Sequence, residues 1–171
     1  ACPHAAIRPV LLTGEEQARA PASFEMAPAK GLGKTAPAYS FRMQLSPYDC
    51  LGCGVCLTAC PAAGQGALVM RPLEEEACQQ ENFDRFAMND SYLKKDVVNS
   101  GSVKHLQFAK PYFQFSAGCA GCAETTYIKL VSQLVGDHMY SCNSAGCSSA
   151  VSGGAPILPY CRDSRGFGPA W

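Results

Sequence analysis

An α+β fold in two successive units is what the 171-residue chain predicts, and three observations predict it. A strand-like alternation at residues 40–45 (SFRMQL) runs straight into a cysteine-rich turn at residues 50–61. The order Cys-Pro, helical turn, strand occurs twice, once from Cys2 and Pro3 and again from Cys60 and Pro61. Beyond Cys119 a helical pattern alternates with a strand-like one, the sign of an α/β unit with a parallel sheet.

The elements follow in order. Residues 3–12 (PHAAIRPVLL) read as a turn and then a short apolar strand. Residues 13–40 are rich in Ala, Pro, Gly and Lys without a period, so they read as a long loop with one helical turn over Gly14–Arg19. Residues 40–45 form the strand that leads into the cysteines, and residues 67–72 (ALVMRP) are the return strand. Residues 73–115 read as a polar connector, with a short amphipathic helix over Glu74–Phe86 and a break at Asn99, Ser100 and Gly101. After Cys119 and Cys122 comes a helix. Its apolar residues Tyr127, Leu130, Val131, Leu134 and Val135 fall on one face, and Gly136 is its stop. His138–Cys142 (HMYSC) reads as a strand. The loop after it carries Asn143, Gly146 and Cys147, with a helix start at Ser148. Ligands of α/β units bind beyond the carboxyl ends of strands, and amides at a helix start suit an anionic group.

Composition narrows the function. Fourteen basic and fourteen acidic residues give no net charge, which argues against nucleic acid or an anionic membrane as partner. Eleven cysteines, an odd number at ligand-like spacing, argue against a secreted disulfide framework. A reduced cytoplasm, or an anaerobic organelle such as a hydrogenosome, fits best. The sequence has no signal peptide and no apolar run of about 18 residues, so no membrane span is expected. The chain begins at Ala1 without methionine and stops just after GFGPAW, so it reads as an internal piece of a longer polypeptide.

Cys50, Cys53, Cys56 and Cys60 are spaced by two, two and three residues, with Pro61 next. That run holds [4Fe–4S] clusters. Three thiolates at such spacing reach one cluster only over tight turns, and Gly52 and Gly54 supply the permissive dihedrals. Zinc sites instead tend to use two separated pairs. In runs of this kind the fourth cysteine ligates the other cluster of a pair. Cys2, the end of a preceding run, therefore completes the site of Cys50, Cys53 and Cys56. Cys60 serves a second cluster whose other ligands lie upstream of Ala1. The chemistry implied is one-electron transfer at low potential. Cys78 reads as an incidental, partly buried thiol, and Cys142 and Cys161 as small, buried-type residues. His4 reads as a surface or packing residue, and His105 and His138 carry no signature. Glu124, from its position alone, is an acidic residue favoured at a helix N-terminus.

The segments CPHAAIRP, FRMQLSPYDCLGCGVCLTACP, ALVMRPLE, FSAGCAGCAETTYIKL, NSAGCSS and GFGPAW, in this order, strongly resemble the pyruvate:ferredoxin (flavodoxin) oxidoreductase family. The resemblance is weakest over residues 13–38 and 73–103. It implies an N-terminally truncated [4Fe–4S] ferredoxin-type domain at residues 1–72, a connector at 73–115, and the start of an α/β thiamine-pyrophosphate-binding domain at 116–171. The implied reaction is oxidative decarboxylation of pyruvate with coenzyme A to acetyl-CoA and carbon dioxide, with electrons leaving singly through [4Fe–4S] clusters. By the resemblance, Cys119, Cys122 and Cys147 ligate a third cluster whose fourth ligand lies downstream. Glu124, Asn143, Gly146 and Cys147 lie by the thiamine pyrophosphate, which also needs magnesium. Ala123 and the sequence NSAGCSS stand where the family usually has glycine and NATGCSS. The family's magnesium-binding motif and its ring-activating glutamate are absent from the chain, so the chain alone is not expected to be a competent enzyme. Ferredoxin or flavodoxin would be the electron acceptor, and the full-length protein a homodimer. Two other readings compete: a free-standing ferredoxin-like carrier with a C-terminal extension, and a zinc-stabilised interaction module, which would be colourless where a cluster protein is brown.

Overall fold

A computed structural model of the chain describes residues 2–32, 38–98, 101–152 and 158–170. Asn99 and Ser100, on which part of the expected break falls, and Trp171 lie outside the described residues. Three antiparallel strands form one sheet in the order β1-β3-β2, with β1 at Ile7–Leu12, β2 at Ala27–Pro28 and β3 at Ser40–Leu45. Ile7 stands opposite Leu45 and Leu12 opposite Ser40. Both faces of β1 are covered. Val10 and Leu12 pack with Phe24, Phe83, Phe86 and Ala87, while Leu11 packs with Phe108. That is why IRPVLL is a nearly unbroken apolar run. The helical turn expected after it is α1, Gly14–Ala18, held by a capping box in which Thr13 Oγ1 accepts from the Glu16 amide and Glu16 Oε2 accepts from the Thr13 amide.

Helix α2 (Val55–Ala59) carries Cys56. The return strand expected at 67–72 is not formed, because Val69 and Met70 are exposed and find no strand edge to pair with. Instead the Met70 side chain comes over Gly52 in the cysteine turn. The helix expected over 74–86 exists as α3 (Leu73–Glu76), α4 (Gln79–Asn82) and a π-helical turn at Phe83–Ala87. The wider turn directs Phe83, Phe86 and Ala87 into the core, and the Phe24 and Phe86 ring centroids lie 4.5 Å apart. The stretch read as a polar connector thus supplies much of the core under β1.

Helices α5 (Val103–Leu106), α6 (Ala123–Val135) and α7 (Cys147–Ser152) follow. Helix α6 has the expected bounds but the opposite orientation. Tyr127 is 68% and Leu134 57% exposed, while Thr125, Lys129, Ser132 and Gln133 are buried. The cause lies in the segment it covers, which has few strand partners and needs its backbone groups satisfied. Gln133 Nε2 donates to the carbonyls of Leu106 and Ala109 (3.2 and 2.9 Å), and Ser132 Oγ accepts from the Phe113 amide at 3.1 Å. Gly136 ends the helix for a steric reason: a Cβ there would lie 2.5 Å from the Tyr112 ring. The strand expected at His138–Cys142 is replaced by a 3-10 turn (Gly136–His138) and a single parallel bridge between Tyr140 and Ala170. Among the described residues no parallel sheet forms.

Two partly buried ion pairs tie the elements together, Lys94–Glu16 and Lys110–Asp90, each at 2.7 Å. Burial raises both carboxyl pKa values, but the lysines and the amides of Thr13 and Ser164 outweigh it, so both end below their ordinary values. Carboxylates lowered in the fold stabilise it above the unfolded pKa of about 4, and that contribution is lost as pH falls through the folded values. The thermal midpoint is therefore expected to drop as pH falls below about 4. The drop should be shallower in an Asp90→Asn, Glu16→Gln double variant, as differential scanning calorimetry would measure; an unchanged slope would refute the assignment.

Candidate metal centre

The cysteine turn is pinned from both sides. Past β3, the Ser46 hydroxyl lies within hydrogen-bond distance of the Asp49 carboxylate (2.5 Å) and Gln80 Oε1 (2.9 Å), and Gln80 Oε1 also accepts from the Tyr48 amide. Gly52 and Gly54 then turn through left-handed backbone (φ 62° and 71°), conformations that glycine adopts without cost. Helix α2 starts there and ends at Cys60, whose backbone is extended and leads the chain away.

Cys2 comes from the far side of β1. Its carbonyl accepts from the Ala5 amide (3.5 Å) and from Lys129 Nζ of α6 (3.1 Å). Ala5 has a left-handed backbone, φ 58°, and its carbonyl is held by Arg8 Nε at 3.0 Å. The His4 carbonyl accepts from the Phe115 amide at 3.0 Å.

These two approaches meet at a narrow cavity of about 20 Å³ lined by Cys2, Cys50, Cys53 and Cys56, together with His4 and Met70. Cys60 is half-buried and is not part of this lining. Among the described residues no three potential ligands stand close enough to grip a single metal ion. Four cysteines lining one cavity are the donor set of a [4Fe–4S] group, in which each iron takes one cysteine. All eleven cysteines are free of disulfides.

Two buried cations stand near the Cys2 side of the cavity. Burial, with the neighbouring Cys2, Cys50 and Cys53, pushes the Cys56 thiol above its ordinary pKa. Arg8 and Lys129 are 6% and 4% exposed, and among the described residues neither has a carboxylate in ion-pair range. His4 is 2% exposed and neither ring nitrogen has a hydrogen-bond partner. Burial lowers the His4 pKa, with the backbone at Ser116 acting weakly the other way.

Cys119 and Cys122 form a second tight turn, closed by the Cys122 amide donating to the Cys119 carbonyl at 3.0 Å. Gly121, at φ 74°, sits against the first turn: a Cβ there would lie 3.0 Å from Val55 Cγ2 and 3.9 Å from Cys53 Cβ. The two cysteine turns are thus in contact. Cys147 opens α7 and is exposed, as is Cys119, while Cys122 is half-buried. These three are not drawn into one metal-binding group. Glu124 is half-buried in the first turn of α6. Asn143 Nδ2 donates to Ser152 Oγ (2.8 Å) and the Gly146 amide to Ser149 Oγ (3.1 Å), so both donors are engaged by α7 itself. Cys78 and Cys142 are exposed rather than partly or fully buried, because the backbone around them lies on the surface. Cys161 is half-buried with its thiol pKa raised by burial. Away from the thiols, a polar cleft is lined by Asp90, Lys110, Tyr112 and Arg165, and its charges are largely paired with one another.

Sequence reasoning missed Arg8 and Lys129. Arg8 had one signal, a charge inside an apolar strand. Lys129 had none, since it lies on the face of α6 that reads as solvated.

The fold is a small α+β segment built on a three-stranded antiparallel sheet, with a cysteine-lined cavity beside it. Over 99% of its length the chain is 47% identical to pyruvate:ferredoxin oxidoreductase of Moorella thermoacetica and 45% identical to pyruvate-flavodoxin oxidoreductase of Enterobacter agglomerans. It is 41% identical to pyruvate dehydrogenase [NADP(+)] of Cryptosporidium parvum. It spans 14%, 14% and 8% of the lengths of these three relatives. No family model matches. Along nearly its whole length the chain is therefore related to one stretch of the pyruvate:ferredoxin and pyruvate-flavodoxin oxidoreductases.

Proposed function

We propose that this stretch is the iron–sulfur electron-transfer segment of a thiamine-dependent pyruvate:ferredoxin or flavodoxin oxidoreductase. The observation that carries the reading is the cavity lined by Cys2, Cys50, Cys53 and Cys56, with two buried cations near its Cys2 side. Cys2, Cys50, Cys53 and Cys56 would hold one [4Fe–4S] cluster. Cys60 would serve a second cluster with ligands outside this stretch. Cys119, Cys122 and Cys147 would give three ligands to a third. When bound, such clusters accept and release single electrons. The chain's own residues fix the thiols on glycine turns, exclude water from the Cys2 side, and bring the two cysteine turns into contact at Gly121.

In the same reading, residues 1–72 are the ferredoxin-type domain, 73–115 the connector and 116–171 the start of the thiamine-pyrophosphate domain, with Glu124, Asn143 and Gly146 near the cofactor and its magnesium. The substrates of the whole enzyme would be pyruvate and coenzyme A, and the whole enzyme a homodimer in the cytoplasm or an anaerobic organelle. No helix among the described residues is long and apolar enough to cross a membrane. The relatives are named for ferredoxin, flavodoxin or NADP(+), and the electron acceptor of the whole enzyme would be ferredoxin or flavodoxin.

In the full-length enzyme, Cys53→Ala is expected to abolish reduction of the acceptor while leaving thiamine pyrophosphate binding at its parental affinity. Acceptor reduction is measured with viologen dye and binding by calorimetry. Surviving acceptor reduction would sink the proposal.

A further inference from the structure

We propose that Lys129, with Arg8 beside it, sets the midpoint potential of the redox centre held by Cys2, Cys50, Cys53 and Cys56. The inference rests on the iron–sulfur reading above and names residues that tune it.

Burying a charge is costly unless a counter-ion compensates it. Lys129 Nζ donates to the Cys2 carbonyl and to Gln107 Oε1, both at 3.1 Å, and to no carboxylate among the described residues. Arg8 donates to the carbonyls of Ala5 (3.0 Å) and Ala87 (3.1 Å) and to Gln114 Oε1. Its guanidinium lies 5.1 and 5.4 Å from the Phe83 and Phe115 ring centroids. Two cations are thus fixed behind the wall of the cavity that Cys2 forms. Among the described residues neither cation has a carboxylate at ion-pair distance, Arg8 feeling Asp49 only from farther off; four thiolates around a metal group would bring negative charge close.

Reduction adds one electron to such a centre and breaks no protein bond. A fixed cation stabilises the more negative, reduced state more than the oxidised one, and the burial of Arg8 and Lys129 limits how far water screens them. Removing the charge therefore shifts the midpoint to more negative potential. Lys129 stands on α6, whose first turn follows Cys122, so one side chain links the second cysteine turn to the Cys2 side of the first site.

The test uses full-length protein purified anaerobically and titrated with dithionite, reading by electron paramagnetic resonance the signal that Cys2→Ala removes. Lys129→Gln keeps a donor for the Cys2 carbonyl but no charge, and Lys129→Arg keeps the charge. Both are expected to retain parental iron. The midpoint should shift negative in Lys129→Gln and stay near parental in Lys129→Arg. A parental midpoint in Lys129→Gln would show the side chain to be only an anchor and overturn the proposal. Lys129→Met is read in the same way where the glutamine variant does not accumulate. If Cys2→Ala removes no iron signal at all, the iron–sulfur reading fails instead, a separate and distinguishable result.

Discussion

On anaerobic reconstitution with iron and sulfide, the Cys2→Ala chain is expected to lose most of the iron that the parent holds. Cys60→Ala is expected to keep iron near the parental content. In sequence the two cysteines look alike, since each precedes a proline. Their surroundings differ. Cys2 lines the cavity shared with Cys50, Cys53 and Cys56, whereas Cys60 ends α2 in extended backbone outside that lining. A cubane with one thiolate missing keeps three protein ligands and one iron open to solvent and oxidant, so it is expected to be labile. Removing Cys60 takes nothing from the cavity. Iron and acid-labile sulfide, normalised to protein, give the answer directly. If Cys60→Ala loses the iron and Cys2→Ala keeps it, the fourth ligand is local to the run, and the Cys2 turn does not close the site.

The parts of the fold that sequence could specify were those governed by neighbours along the chain. The alternation of SFRMQL and the apolar run before Thr13 give β3 and β1, and the Thr13–Glu16 pattern gives α1. The bounds of α6 follow from its own residues. Its orientation does not. Which face is buried was decided by unpaired carbonyls at Leu106 and Ala109, some two dozen residues away, and local periodicity carries no trace of them. The same limit applies to residues 67–72 and His138–Cys142. Each has strand-like composition, yet a strand needs an edge to pair with: residues 67–72 find none among the described residues, and His138–Cys142 finds only the single bridge to Ala170. At the site, spacing was enough to nominate the thiols, because ligand geometry is written into C-x2-C-x2-C. Of the buried cations Arg8 left one signal, a charge inside an apolar strand, and Lys129 none. The two are 121 residues apart in sequence, and only the packed chain brings Lys129 to the Cys2 carbonyl and Arg8 to the Ala5 carbonyl beside it.

Arg8→Met is expected to destabilise the metal-free chain by about 3 kcal/mol, the surplus of three lost hydrogen bonds to a charged donor over the relief of removing a buried charge. Two effects oppose each other. Methionine fills similar space and removes a buried charge, which by itself stabilises. It also leaves the carbonyls of Ala5 and Ala87 and Gln114 Oε1 without their donor. Hydrogen bonds to a charged donor contribute about 1.5–3 kcal/mol each, so three of them outweigh the relief. Burial pulls the Arg8 pKa down to about 10, which still leaves the group charged at neutral pH. Ala5 sharpens the expectation, because its left-handed turn sets the position of Cys2 and its carbonyl depends on Arg8 Nε. Arg8→Lys should not restore the loss: a single ammonium cannot reach three acceptors lying in different directions as a guanidinium does. Arg71→Ala is the control, since Arg71 is 57% exposed and its 3.3 Å pair with Glu76 contributes little in water. Denaturant unfolding of the four chains under reducing conditions measures all of this. An Arg8→Met chain as stable as the parent, or an Arg8→Lys chain matching it, would mean that Arg8 does not hold the turn behind Cys2.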